Sequence, residues 1–478
     1  MTRTIIALTA TSLMALATAH AETTALTGTT VIDGTGAPAI ENANVIVEDG
    51  QLACVGTADA CPVPDGATVE DLSGHFITPG LVDAHVHFGQ TGWLDGRPDS
   101  GILGDVYPYD ETVAWAKANP GRWHEAYLCT GITAAYDVGG QAWTVTGEHA
   151  TDTDRPDRVH VRAAGPLTTH VENNAGFMVG DVADEALFLP MQESTDLADN
   201  IAFLQAIDAA AMKVWYLAPS DEDRERLDAL MMEAGAAADE AGLPLIVHAT
   251  SLREAKIALK AGAEMLVHSV DDAPVDEEFL SLLTENNVAY APTLQAGRNW
   301  GRALASVAVD SPAPIDDPNN CVDAAIRARI NDTAVLKGNL PPRLGFAWAI
   351  NRLEGSGAEV LQMQQNLLAV HEAGGFIATA TDAGNPMTLH GPSIYEEMEL
   401  MEEAGLDPAE IITLSTRNGA IAMGLGEETG TLEAGKTADL IVLAEDPRES
   451  TSAFRSLTHV MRLGELNSQS DLQVYDGE

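Results

Sequence analysis

Two histidines stand two residues apart in the run ITPGLVDAHVHF, residues 77–88. Read as one buried strand, the run puts Leu81, Asp83, His85 and His87 on one face and Val82, Ala84, Val86 and Phe88 on the other. Two imidazoles side by side at a strand end can grip one metal ion, although a lone His-x-His serves structure as readily as chemistry. Four more ligand-type residues close strand-like runs of their own: Lys213 in AAAMKVWY, His248 in PLIVHA, His268 in MLVHS and Asp382 in IATATDAG. A buried neutral imidazole needs a partner, and a metal is the common reason for several together.

Lys213 is the discriminating residue. A lysine at the end of an apolar run is costly if charged and unpaired, and burial near cations moves it toward the neutral amine. A neutral amine can take up carbon dioxide and become a carbamate, an anion able to bridge two metals. Asp382 can serve as ligand and as proton carrier. The bland alternatives are a salt-bridged lysine and a helix-capping aspartate.

These residues need elements that bring them to one place. Eight apolar runs, at 77–87, 133–137, 159–163, 211–215, 245–248, 265–268, 288–292 and 377–382, alternate with helix-like segments. Ser220 with Asp223, Ser251 with Glu254, and Asp407-Pro408 with Glu410 read as helix starts, and Gly262 as a stop. Strands alternating with helices predict a (β/α)₈ barrel, whose strand ends converge on one mouth. Short strands at 24–75 and near the C-terminus predict a small β-sandwich built from both terminal segments. The connections 89–129 and 293–376 are too long for plain turns and are expected to build a pocket, a lid or an oligomer contact.

The chain opens with Arg3, an apolar run and Ala19-His20-Ala21, the pattern of a cleavable export signal. The expected layout is a signal at 1–21, sandwich segments at 22–75 and 426–478, and the barrel at 76–425, exported to the periplasm or secreted without a membrane anchor. With 25 Lys and Arg against 72 Asp and Glu, the net charge of −47 repels phosphate backbones and disfavours nucleic-acid binding. Of the four cysteines, Cys54 and Cys61 are close enough in sequence to bridge, while Cys129 and Cys321 have no obvious partner.

The stretches GLVDAHVHFGQ, RPD at 97–99, GITAAYDVGG, IVHA, LVHS, TDAG and GTLEAGKTADLIVL together resemble the amidohydrolase superfamily, in its imidazolonepropionase-like or prolidase-like branch. The resemblance implies metal-dependent hydrolysis, most often of C–N bonds, and two divalent ions, zinc the expected element. It implies His85, His87 and Asp382 on the more buried ion, His248 and His268 on the more exposed one, and carboxylated Lys213 between them. A hydroxide bridging the metals would attack, and Asp382 would carry its proton to the leaving nitrogen. It also implies a substrate contact for His170. Relatives carry a tyrosine two residues after the fifth-strand histidine where this chain has Thr250, which leaves dipeptide specificity open; Tyr216 is a weak substitute. The expected substrate is a small molecule with an amide or peptide-like bond, an N-acyl amino acid or dipeptide among them. A mononuclear cyclic-amide hydrolase or deaminase, a lactone or ester hydrolase, and a non-catalytic metal binder are the alternatives. A homo-oligomer is left open.

Overall fold

The structure is a computed structural model that describes residues 23–95, 105–171, 186–217, 220–340 and 345–475. The export signal expected at 1–21 and the triplet at 97–99 lie outside them.

The run at 77–88 is two strands rather than one. Phe76–Pro79 pairs with Thr23–Val31 and with Leu440–Leu443, while Leu81–Val86 pairs in parallel with Ile132–Asp137. Gly80 is the break: a Cβ there would stand 2.2 Å from Thr133 Oγ1. One short peptide thus carries the chain from a terminal sheet into a parallel one. The terminal sheet has eight strands drawn from both ends of the chain, ordered around Thr23–Val31, Phe76–Pro79 and Leu440–Leu443. Val45, Val47, Leu440, Val442 and Met461 are buried in a core of its own.

Every residue of Leu81–Val86 and of Ile132–Asp137 is buried, as expected of parallel strands covered on both faces. These two and His160–Ala163 form one parallel sheet. Met212–Trp215, Leu245–His248, Met265–Val267, Ala289–Ala291 and Phe376–Ile377 follow in order in a second. The two sheets are joined by backbone hydrogen bonds from Ala84 N to Thr379 O, from Asp382 N to His85 O and from Ala210 N to Ala163 O. All eight predicted runs contain parallel strand residues. Two three-residue strands, Leu167–Thr169 and Phe188–Pro190, were not anticipated and extend the second sheet.

Helix punctuation follows the side chains. Ser251 accepts from Glu254 N at the start of Leu252–Lys260, and Asp407 caps Pro408–Leu414. Gly262 follows the first of these in a left-handed conformation, φ 92°. The long connections hold helices of their own, and Trp93 and Leu94 of the first pack with Leu304, Val307 and Ile326 of the second. A disulfide between Cys129 and Cys321, Cα atoms 5.5 Å apart, ties the two connections together. The sequence shows no obvious partner for either cysteine because they meet only through tertiary packing. Cys54 and Cys61 are also bonded, with Cα atoms 5.8 Å apart.

Candidate metal centre

His85 is fully buried near the end of Leu81–Val86, and His87 follows it. Their Nε2 atoms lie 3.1 Å apart. Asp382 Oδ1 stands 3.3 Å from the first and 3.1 Å from the second. Among the described residues this is the one group of three or more His, Cys, Asp or Glu side chains with ligand atoms all within 4.8 Å of one another. Lys213 is 1 % exposed. The His268 ring lies tilted against His85 and edge-on to His248, with ring centroids 5.0 and 4.3 Å away. Lys213, His248, His268, His87 and Asp382 line one cavity of about 310 Å³. Five of the six expected ligands thus face one space, with the sixth, His85, buried behind it.

The local backbone is shaped for this convergence. His268 and Asp382 follow strand ends in left-handed conformations, with φ of 75° and 64°, and Thr293 has φ 48°. Such residues cost of order 1–3 kcal/mol each and gather at functional sites. Thr293 Oγ1 lies 2.7 Å from His268 Nδ1, and Gly139 O lies 2.6 Å from His87 Nδ1. A carbonyl can only accept, so His87 keeps its proton on Nδ1 and turns the lone pair of Nε2 toward Asp382. Asp83, an acid inside an apolar run, binds Thr381 N and Thr381 Oγ1 at 3.0 and 2.6 Å. It fastens the first strand to the loop that presents Asp382, and burial raises its carboxyl to about 7.

The electrostatics leave room for a cation. Burial first, then the nearby charge of Lys213, holds His85 and His248 well below the ordinary histidine range. For His268 burial is followed by His248 and then Lys213. Burial also draws Lys213 down to about 7, against the pull of Asp382 and Asp137. Asp382 Oδ1 is buried without a hydrogen-bond donor. Imidazole lone pairs facing an anionic oxygen repel unless a positive ion lies between them, and a nitrogen-rich set with one carboxylate suits a zinc-like ion. The residues therefore fit a divalent metal.

His170 is not among the residues lining this cavity. Its Nε2 lies 2.9 Å from Leu217 O, and its ring meets Tyr216 edge-on. Tyr216 is not among the residues lining the cavity either, and its hydroxyl donates to Asp228 at 2.6 Å. Gln90, Trp215, Trp300 and Asn385, which also line the cavity, were not anticipated, because their types carry no ligand signal. Asp83 was legible as an acid in an apolar run. A larger cavity of about 470 Å³ opens around Tyr136, Arg162, Glu264 and Phe376, but no histidine lines it.

Known proteins place the chain. Imidazolonepropionase of Maricaulis maris (strain MCS10) is 26% identical over 445 residues, 88% of this chain and 91% of that one. The solved structure of a Xaa-Pro dipeptidase with bound methionine in the active site superposes with a TM-score of 0.68 at 20% identity, covering 94% of this chain and 100% of that one. Aspergillus niger ochratoxinase gives 0.66 at 20% identity, covering 94% and 96%. Such distant likeness shows the fold, a TIM barrel. The pattern of the amidohydrolase family matches residues 76–466, more than half of the chain. The chain belongs to the amidohydrolase family, metal-dependent hydrolases of carbon–nitrogen bonds.

Proposed function

We propose that the chain is an exported, binuclear amidohydrolase that cleaves an amide-type bond in a small molecule, on a closed (β/α)₈ barrel with a β-sandwich from both termini. The observation that carries this reading is the buried triad of His85, His87 and Asp382, with ligand atoms within 4.8 Å, beside a cavity that also holds Lys213, His248 and His268. The two disulfides support an oxidising compartment.

In this reading His85, His87 and Asp382 would hold one ion and His248 and His268 a second, with Lys213 as the ligand common to both. Divalent ions there, zinc the element expected, supply Lewis acidity and lower the pKa of water toward neutrality. Lys213 contributes as a carbamate: its neutral Nζ adds to the carbon of carbon dioxide, one N–H proton leaves to solvent, and an anion with two oxygens results. That anion adds negative charge to a ligand set in which only Asp382 is acidic. Asp382 accepts the proton of the attacking water and returns it to the leaving nitrogen, which is otherwise a poor leaving group. Thr293 and Gly139 hold the rings of His268 and His87 in register. His170 keeps its assigned substrate contact in this reading, with Gln192 Nε2 donating to its carbonyl at 2.7 Å.

Elemental analysis of the purified full chain tests the reading. Two divalent ions per chain are expected, with Lys213→Ala losing metal and activity together and added short carboxylates restoring part of the activity. One ion per chain, with Lys213→Ala still active, sinks the binuclear centre in favour of a mononuclear one.

A further inference from the structure

The cavity has a second half with different chemistry. Leu167, Leu187 and Phe188 form a small buried apolar cluster apart from the main core, with Trp215 packed against it. All four line the cavity. Trp215 lies two residues beyond Lys213 on the strand Met212–Trp215, so the two share a strand face. The Trp215 ring meets His248 edge-on at 6.0 Å, and Phe188 lies tilted over it at 5.3 Å. The apolar wall therefore begins about one ring's width from the expected ligands. Trp300 adds another aromatic surface, its Nε1 donating to Asn385 Oδ1 at 3.2 Å, while Asn385 Nδ2 donates to Asp382 O at 3.2 Å.

The charges are as telling. Among the described residues, no arginine lines the cavity, and its lysine is Lys213, which the centre itself uses. Among the described residues, a substrate carboxylate would find no guanidinium or ammonium along the apolar wall. It would also approach a chain of net charge −47, whose field disfavours anions. Aromatic and aliphatic surface beside polar reaction groups is what an uncharged ring or branched chain requires.

Resting on the hydrolase reading above, we infer that the Leu167–Leu187–Phe188–Trp215 wall and Trp300 form a specificity subsite for an uncharged aromatic or bulky apolar group next to the scissile bond. The substrates are then neutral amides or anilides rather than dipeptides or N-acyl amino acids. Phe188 and Trp300 act as specificity determinants and take no part in the proton transfers.

Matched substrates test this on the metal-loaded full chain: acetanilide against 4-acetamidobenzoate, which differs by one carboxylate, with acetamide as the small control. The expected result is a kcat/KM for acetanilide about tenfold or more above that for 4-acetamidobenzoate. Phe188→Ala should lower kcat/KM on acetanilide by about tenfold or more and lower it on acetamide by much less. Equal rates on the matched pair, a preference for the carboxylate, or an equal loss on acetanilide and acetamide overturns the subsite. A binding readout separates this from failure of the hydrolase reading. Cyclohexanecarboxamide, which does not absorb with tryptophan, should change the tryptophan fluorescence of the metal-free chain, and Phe188→Ala should weaken that change. If no amide is cleaved yet that binding persists, the hydrolase reading falls and the subsite stands. If amides are cleaved and binding is absent, the subsite falls.

Discussion

Two buried clusters in this protein use the same residue types to opposite ends. One joins the terminal sheet to the parallel strands. There His160 Nε2 lies 2.8 Å from Asp439 Oδ2, which also accepts from Thr429 Oγ1 at 3.2 Å. Asp439 Oδ1 accepts from Arg462 Nη1 and Leu463 N at 3.1 and 3.0 Å. Arg462 spends its other nitrogens on the carbonyls of Arg158 and Thr153. The other cluster is the metal centre, where two imidazole nitrogens and a carboxylate oxygen crowd together and Asp382 Oδ1 finds no donor. The first cluster contains its own counter-cation and is electrostatically closed. In the second, Lys213 is drawn toward its neutral amine and, among the described residues, no donor bonds Asp382 Oδ1, so the cluster is open to a metal. Burial and residue type do not separate structure from chemistry here; the tally of donors and acceptors does.

Substitution in each cluster should break the comparison along different axes. Asp382→Asn is expected to lower kcat/KM by about 10³-fold or more, since it removes the proton carrier and a ligand. It should leave the stability of the metal-free chain within about 1 kcal/mol of wild type, because it relieves a repulsion. Arg462→Met should do the reverse, costing about 3–5 kcal/mol by stranding Asp439 without its cation, with metal content unchanged. Denaturant titration and elemental analysis of both variants check the pair. A large stability loss in Asp382→Asn, or metal loss in folded Arg462→Met, would erase the distinction.

The open cluster was far more legible in the sequence than the closed one. His85, His87, Lys213, His248, His268 and Asp382 each interrupt or end an apolar run, and strand alternation gives such interruptions a direction. The eight runs were readable for the same reason. Gly80 was misread because apolar character continues across it, and only packing against Thr133 shows why the strand must break. Leu167–Thr169 and Phe188–Pro190 are too short to show a period. Asp439 sits in ADLIVL and Arg462 in VMRL, with nothing local to pair them. The apolar half of the cavity is built mostly from residues of short strands and a helix, whose types look like ordinary core.

The two disulfides sharpen the point about distance. Cys54 and Cys61 are 7 residues apart, Cys129 and Cys321 are 192 apart. In the chain-entropy account, the longer loop stabilises by about 5 kcal/mol and the shorter by about 2–3 kcal/mol. Cys129→Ser with Cys321→Ser should therefore lower stability about 3 kcal/mol more than Cys54→Ser with Cys61→Ser, as read from denaturant midpoints. The pair invisible in sequence is the one expected to matter more. Equal losses would mean that strain or residual unfolded structure, rather than loop length, sets the effect.

Acid should also tell the two regions apart. His390, buried beside the centre, shares a hydrogen bond with Tyr127 at 2.9 Å and contacts the carbonyl of Gln90, a cavity-lining residue, at 3.1 Å. Burial, reinforced by Arg122, lowers it to about 3. Burial likewise lowers His124 and His149 to about 4. A histidine whose folded pKa lies below its unfolded value near 6.5 binds fewer protons when folded, so its environment stabilises the fold least at low pH. The contribution is intact above pH 6.5 and is lost as pH falls toward 3 or 4. Asp439 has the opposite sign of charge and a later window. Burial would raise its pKa, but His160 and Arg462 together hold it below 3.8, so its support persists until pH falls through that range. Between pH 7.5 and 5, with chelator present to remove metal, His390 alone should cost about 2 kcal/mol, at 1.36 kcal/mol for each unit below 6.5. His390→Gln should flatten the stability profile by about that amount, and hydrogen exchange at pH 5 should quicken around Gln90 and Tyr127 before it does around Asp439 and Arg462. Loss of protection at both places together would show that acid unfolds the chain as one unit, and that the two clusters do not divide its stability between them.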